Sequence, residues 1–352
     1  MKITSLKISI VLLVFAAIFV NVMQSQQRRI TKPDPTPIIS DKNIALSCDS
    51  QLAHLFASVP SLLTAGAESS DLRSRATPVA HLSEPDNLLV TRLQNRGLAY
   101  LVGYTCHPTS TELKSAFQIF KANGNHYSAV ARSQDFSTLS EKDADGSRVD
   151  DASLDVHPLP TQPNQQTYFE TTFIQGGGTP AEFSVVVWSW DGDTLHEIFK
   201  KAFLRAGGVQ IVGSTFAITD NHNDGSSTAE VYQLNDGRVL FSGLLNKTIL
   251  AQAEASGRLI ARNSEELNTL GSLWESLGEE NRAIAAYNQS IQQDQSENNR
   301  FIYLALSELY EKTGQNVAAA NTLERYKNLP GNALTPEMRL ELEQKVQQLT
   351  KP

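Results

Sequence analysis

The chain has 352 residues, of which 40% are hydrophobic and 19% are charged, and its formal net charge is −8. This composition is typical of an ordinary globular protein and excludes a disordered or collagen-like chain. The acidic balance argues against a general nucleic-acid binder, which needs a basic face. Because there are only two cysteines, a thiolate zinc site and a disulfide-dense mini-domain are also excluded.

The chain begins with an apolar segment that indicates export. Two lysines in Met1–Lys7 precede the run Ile8–Met23, which is apolar apart from two residues. A short basic start before such a run is typical of a signal peptide, and its length lies just under that of a membrane-spanning helix. Residues 1–29 therefore predict a membrane anchor or a cleaved signal, with a buried core helix as the remaining alternative. We expect the rest of the chain, after a proline-rich linker at 30–45, to face the periplasm or the exterior, or to be secreted.

Residues 46–248 predict an α+β, mostly antiparallel domain. Its strand patterns are runs of β-branched and aromatic residues bounded by turn residues such as Asn235-Asp236-Gly237. A polar segment near 137–166 has almost no apolar clusters and predicts a long loop or linker. The predicted strands are 98–106, 126–131, 167–174, 182–190, 195–203, 209–219, 228–234 and 239–241.

Two helices are also predicted in this domain. Apolar residues recur at helical spacing from Leu52 to Val59, and Pro60 is expected to end that helix. A second helix is expected to begin at Thr111 and to end near Gly124. Its apolar face would comprise Leu113, Phe117 and Phe120.

Residues 249–352 predict a helical domain that contains an internal repeat. Aligning Leu270 with Leu306 gives a period of 36 residues. Each copy has a large apolar residue, a small one, an aromatic, a glycine turn, an alanine and another large apolar residue. The first copy comprises Leu270, Gly271, Trp274, Gly278, Ala283, Tyr287 and Ser290, and the second Leu306, Ser307, Tyr310, Gly314, Ala319, Leu323 and Tyr326.

This pattern resembles the tetratricopeptide repeat over residues 264–330. The second copy departs from the family at Ser307, where glycine or alanine is usual, and at Tyr326, where a small residue is usual. The resemblance implies two helical hairpins. A last helix, opened by Thr335 and Pro336, would cap them with Leu340, Leu342 and Val346 as its apolar members.

The resemblance also implies a concave surface that docks a protein or peptide partner. Carried over by position, this surface comprises Asn268, Thr269, Ser272, Glu275, Leu304, Ala305, Glu308 and Lys312. Some family members grip a C-terminal carboxylate with basic residues, but Glu275 and Glu308 would repel an anion here. We therefore expect no carboxylate clamp. The alternative is a packing cap that binds nothing.

Three further patterns bear on the chemistry. Cys48 and Cys106 both lie in the part expected to be exported and predict a disulfide, with two buried free thiols as the alternative. Asp220, His222 and Asp224 alternate before a glycine, a spacing that suits Ca²⁺, although a plain polar turn is the favoured interpretation. No other cofactor is expected.

Trp188 and Trp190 are expected on one face of a strand, either in the core or as a platform for a sugar or peptide. The sequence has no nucleophile elbow, no phosphate-binding glycine loop and no His-Glu-x-x-His motif. The leading hypothesis is an exported, membrane-anchored or secreted protein that docks a partner and is not an enzyme. The alternatives are a hydrolase-like enzyme with its site in 46–248 and a Ca²⁺-dependent binding module.

Overall fold

The computed structural model describes residues 46–64, 69–95, 97–109, 112–133, 136–139, 154–160, 166–175, 182–204, 207–222, 226–296, 299–331 and 334–351. The predicted signal or anchor at 1–29 and the linker at 30–45 lie outside these stretches. None of the helices within them combines the length and the apolar character needed to cross a membrane.

The described residues form an α+β fold with antiparallel sheets, which confirms the predicted class. Its helices are α1 Cys48–Thr64, α2 Ser69–Ala80, α3 Lys247–Ala255, α4 Ser264–Ser276, α5 Glu280–Gln293, α6 Arg300–Lys312, α7 Asn316–Lys327 and α8 Pro336–Thr350. A 3₁₀ turn spans Pro85–Asn87. The strands are β1 Leu88–Asn95, β2 Gly97–Thr109, β3 Glu112–Asn123, β4 His126–Arg132, β5 Phe136–Leu139, β6 Asp155–Pro158, β7 Thr167–Gln175, β8 Glu182–Trp190, β9 Leu195–Leu204, β10 Gly208–Val212, β11 Thr215–Asn221, β12 Ser227–Asn235 and β13 Arg238–Leu244.

The strands form three sheets in which neighbours along the chain are paired. The first sheet has the order β1-β2-β3-β4, with β5 also on β3; the second has the order β6-β7-β8-β9, and the third β10-β11-β12-β13. Each pairing is antiparallel. Short turns therefore suffice to connect most strands.

The sheets are stacked between two groups of helices, and each sheet is apolar on both faces. In β2, Val102 lies in the cluster that faces α1 and α2, whereas Leu101 lies in the cluster between the first and second sheets. In β11, Phe216 lies between the second and third sheets, whereas Ala217 faces α3 to α7. Since successive side chains of a strand point to opposite faces, this alternation buries both sides of each sheet. The result is a layered stack with an apolar cluster at each junction.

Trp188 and Trp190 belong to one of these junctions. Both side chains lie between the first and second sheets, and Trp190 is only 1% exposed. Val187, the residue before Trp188, lies in the cluster between the second and third sheets. The two tryptophans thus share one face as predicted, but they form core and offer no platform to a sugar or peptide.

The helix predicted from Thr111 to about Gly124 is wrong, because this segment forms strand β3. Phe117 lies between the first and second sheets, whereas Phe120 lies on the side of α1. Ile119 is on the same face as Phe117. Because both faces of β3 are buried, apolar residues occur at spacings that also occur on a helix.

Pro60 does not end α1, which continues to Thr64. The buried stripe that includes Leu52 and Val59 extends to Leu63, which is also buried. The hydroxyl of Thr64 donates a hydrogen bond to the Pro60 carbonyl (2.8 Å). Continued burial of this stripe thus offsets the cost of a proline within the helix.

Two other predicted boundaries differ from the structure. The single strand predicted over 209–219 is a hairpin of β10 and β11, because Gly213 adopts a left-handed φ of 60° and turns the chain. Strands β5 and β6 fall in the segment near 137–166 that predicted a loop or linker. Leu154 and Val156 are buried in the cluster between the first and second sheets. These two apolar side chains therefore hold β6 in the fold, although the segment around it is polar.

A disulfide joins the start of α1 to the first sheet. Cys48 and Cys106 are linked, with their Cα atoms 5.8 Å apart, and they are separated by 58 positions in sequence. Both are buried in the cluster between α1, α2 and the first sheet. By restricting the unfolded chain, a loop of this length stabilises the fold by about 4 kcal/mol.

Candidate functional site

Helices α4 to α8 form an array in which each helix packs against the next. The turns after α4 and α6 contain Gly278 and Gly314, whose φ values of 70° and 76° suit glycine. Trp274 on α4 and Tyr310 on α6 occupy equivalent places in the two copies of the sequence repeat, and the Tyr310 hydroxyl accepts a hydrogen bond from Asn288 on α5 (2.7 Å). The array is thus continuous across the two hairpins.

The first hairpin is closed by a contact that requires glycine. A Cβ atom at Gly271 would overlap the ring of Tyr287 on α5. The second copy has Ser307 and Leu323 at these two places, and both are buried. A leucine lacks the ring that would meet the serine side chain. The departure at Ser307 is therefore matched by the smaller partner at Leu323.

Glu266 connects the array to the sheets. The residue is only 7% exposed. Its carboxylate accepts hydrogen bonds from the backbone N–H groups of Gly213 (3.1 Å) and Arg262 (3.0 Å). The Arg262 guanidinium pairs with the same carboxylate and also donates to the Pro158 carbonyl (2.9 Å). One buried carboxylate thus joins α4 to the β10–β11 turn, and its arginine reaches the end of β6.

The eight residues expected on the concave surface have different surroundings. On α4, Asn268 donates to the side chain of Asn299 (2.7 Å), and Thr269 donates to the backbone of its own helix. Ser272 is exposed. Glu275 accepts a hydrogen bond from the Tyr287 hydroxyl (2.9 Å). These contacts place Asn268 and Glu275 in the packing of the array.

The expected residues of α6 divide in the same way. Leu304 and Ala305 are half-buried against the apolar cluster of the array, whereas Glu308 is exposed. Lys312 forms an ion pair with Glu280 on α5 (2.8 Å). The lysine that could have held an anion is therefore engaged.

A groove of about 400 Å³ lies where α6, α7 and α8 meet, and we call it the C-terminal groove. Its lining residues recur at positions i, i+3, i+4 and i+7 on both α6 and α8. They are Leu304, Ser307, Glu308 and Glu311 on α6, Leu323 and Tyr326 on α7, and Met338, Glu341, Leu342 and Lys345 on α8. Two of the expected residues, Leu304 and Glu308, thus line a groove to which α8 contributes a whole side.

Helix α8 differs from the expected cap. The Thr335 hydroxyl caps its first turn as predicted, accepting from Met338 N–H (3.2 Å). Leu342 and Val346 are half-buried, but Leu340 is 57% exposed, and no residue of α8 is fully buried. Of the three apolar members predicted for the cap, only Leu342 lines the groove.

The predicted calcium loop is only partly described, and Asp224 lies outside the described residues. Asp220 pairs with Thr228 across β11 and β12. The ring of His222 is in hydrogen-bonding contact with the Thr228 hydroxyl (3.1 Å). Among the described residues, no three His, Cys, Asp or Glu side chains are grouped closely enough to hold a metal.

Two histidine–glutamate pairs occur in 46–248, where the enzyme alternative would have its site. Nδ1 of His107 lies 2.7 Å from the Glu84 carboxylate, and its buried Nε2 has no partner in the described structure. Nδ1 of His157 lies 3.0 Å from Glu170, whose side chain is completely buried. Among the described residues, neither imidazole forms a hydrogen bond with a serine, threonine or cysteine, so neither activates a nucleophile there.

The His157–Glu170 pair has a defined response to pH. The hydrogen bond to Glu170 raises the pKa of His157, and burial raises the pKa of Glu170. The Thr172 hydroxyl also donates to Glu170 (2.6 Å). Both pKa values are higher in the folded than in the unfolded chain, so the folded chain binds protons more tightly at these two groups. The stabilisation is therefore present below the ordinary pKa of His157, 6.5, and is lost as the pH rises through its folded value.

No family model matches the chain, and comparison with curated proteins gives no significant match. The tetratricopeptide resemblance therefore stays a prediction.

We expect Gly271→Ala to lower the free energy of unfolding by about 1–3 kcal/mol, although alanine normally favours a helix, because the methyl group would overpack against Tyr287. Urea denaturation measures this. Adding Tyr287→Leu should recover part of the loss, since it reproduces the second hairpin. The control Ser307→Ala should have little effect. Equal stability of Gly271→Ala and the wild type would contradict this account of the packing.

We expect the melting temperature of the wild type to fall as the pH rises from about 6 to about 8, because Glu170 stays buried while His157 loses its proton. Glu170→Gln should show a shallower dependence, since the carboxylate that holds the proton on His157 is gone. His196→Gln, at an exposed histidine of the same sheet, serves as the control and should keep the wild-type slope. Identical slopes for Glu170→Gln and the wild type would refute the assignment.

Proposed function

We propose that this is an exported, membrane-anchored or secreted protein that docks a protein or peptide partner on the α4–α8 array. The observation that carries this proposal is the C-terminal groove, in which exposed apolar and charged side chains lie together. The resemblance to the tetratricopeptide repeat supports the same role. The division into a sheet domain at 46–248 and a helical docking domain at 249–352 belongs to this proposal.

Two features support export. The apolar run near the N-terminus has the sequence of a signal or anchor. The disulfide between Cys48 and Cys106 is of the kind that persists in oxidising compartments. A location on the periplasmic or outer side of a membrane accounts for both.

The surroundings of the array favour docking over a packing cap. Its inner side is covered by the third sheet, since Val212, Ala217 and Val231 lie in the same apolar cluster as α4 and α6. Its last helix leaves Met338 and Leu340 43% and 57% exposed. A helix that served only to seal the array would have a polar outer face. The described residues give no comparable support to a hydrolase-like site or a Ca²⁺ module.

The test is site-specific photo-crosslinking of the full chain in intact cells. A photoreactive amino acid is placed at Ser272 or Glu308, which are exposed at equivalent places on α4 and α6. Matched controls carry it at Gln289 on α5 and Asn321 on α7, which are exposed but belong neither to the expected concave surface nor to the groove lining. We expect one defined protein adduct from the first pair and none from the controls. Adducts of equal yield from all four positions, or from none of them, would reject the proposal.

A further inference from the structure

We propose that the C-terminal groove binds a basic segment of the partner, one that places an aliphatic side chain on the groove floor and lysine or arginine at its rim. This inference rests on the proposed docking function and names the chemistry of the partner.

The floor of the groove is apolar and reaches the surface. It is formed by side chains from three helices, and the outermost, Met338, is 43% exposed. Methionine side chains are flexible and adapt to varied apolar partners. The floor comprises Leu304, Leu323, Tyr326, Met338 and Leu342. An aliphatic side chain inserted here would be removed from water on several sides.

The rim of the groove carries excess negative charge. Three carboxylates, those of Glu308, Glu311 and Glu341, lie against one ammonium group, that of Lys345. The ammonium group of Lys345 forms an ion pair with the carboxylate of Glu311 (2.7 Å). Within the described part of the chain, Glu308 and Glu341 form no ion pair. A partner with positive charge would complement these two carboxylates.

The electrostatic environment of Glu308 agrees with this assignment. Glu308 is exposed as a residue, but partial desolvation of its carboxyl group raises its pKa, and repulsion from Glu275 and Glu311 raises it further. Lys345 lowers it only in part, and Lys312, the nearest cation on the same helix, is paired with Glu280. A lysine or arginine from a partner would relieve this repulsion.

The groove coincides with the strongest departure of the sequence repeat. Ser290, completely buried, closes the first hairpin by donating a hydrogen bond to the Ser264 carbonyl (3.0 Å). In the second copy the equivalent position is Tyr326, which lines the groove. The Tyr326 ring is larger than the serine side chain, and although it is only 5% exposed it lines the floor of the groove. The groove is therefore specific to the second hairpin and α8.

The test uses three fluorescein-labelled, amidated peptides of about ten residues, which span roughly 33 Å when extended, whereas the lining residues Leu304 to Glu311 of α6 rise by only about 11 Å along the helix. The first alternates leucine and lysine, the second replaces lysine with glutamate, and the third replaces leucine with serine. Fluorescence anisotropy with the folded, disulfide-bonded protein should show saturable binding of the first peptide, with Kd below about 1 mM. Neither of the other two should bind in this range.

Paired variants locate the site. Glu308→Gln with Glu341→Gln should weaken binding about fivefold or more, because two complementary charges are lost. The matched double variant Glu337→Gln with Glu343→Gln, outside the groove lining, should not. Met338→Ser should weaken binding, and Leu340→Ser, on the same helix but outside the lining, should not.

The inference is overturned if the glutamate peptide binds as well as the lysine peptide, if no peptide binds, or if the control variants weaken binding as much as the groove variants. None of these results removes the proposed function, which fails only if Ser272 and Glu308 give no specific crosslink. Crosslinking without basic-peptide binding would mean that the array docks a partner of other chemistry.

Discussion

The buried carboxylate of Glu266 holds the C-terminal array, helices α4 to α8, against the third sheet. It accepts hydrogen bonds from two backbone N–H groups, that of Arg262 just before α4 and that of Gly213 in the β10–β11 turn. Gly213 itself is tightly enclosed, since a Cβ atom there would lie 2.8 Å from the Arg258 carbonyl oxygen. A carboxylate removed from water is stable only with such partners, so its burial holds the helices and the third sheet in one arrangement. Because the third sheet covers one side of the array, only the opposite side is free to bind a partner.

The stack of sheets explains why a chain of this composition is rigid enough to present a groove. Each sheet is covered on both faces, by helices at the two ends of the stack and by another sheet within it. The disulfide fixes α1 to the first sheet at one end, and Glu266 fixes α4 to the third sheet at the other. Buried apolar residues are thus concentrated at the junctions, while large apolar side chains stay exposed on β13 and on the last two helices of the array. In the array, unlike on β13, the exposed Met338 lies in a groove beside charged side chains, which suits binding.

Much of this fold could be predicted from local patterns, and the failures have physical causes. Strands such as β8, bounded by turns and rich in β-branched residues, were predicted with nearly correct limits. Strand β3 was mistaken for a helix because both of its faces are buried, which removes the alternation that marks a half-exposed strand. The groove was missed in part because no local pattern tells whether α8 seals an array or borders a cavity. The contact that fixes the array, between Glu266 and Gly213, joins residues 53 apart in sequence and has no local signal. Tyr326, in contrast, was visible as a departure from the repeat, and it lies on the groove floor.

Glu266 couples the array to the third sheet, and the position of the groove depends on this coupling. Amide hydrogen exchange of the full chain, with Glu266→Gln compared with Glu265→Gln at the adjacent, exposed position, measures this coupling most directly. Glutamine cannot satisfy the Arg262 guanidinium as a carboxylate does, so Glu266→Gln should speed exchange in α4 and in the β10–β11 turn together, by a free energy of about 1–3 kcal/mol. Glu265→Gln should leave both regions unchanged. Faster exchange in α4 alone, with the β10–β11 turn as protected as in the wild type, would contradict the claim.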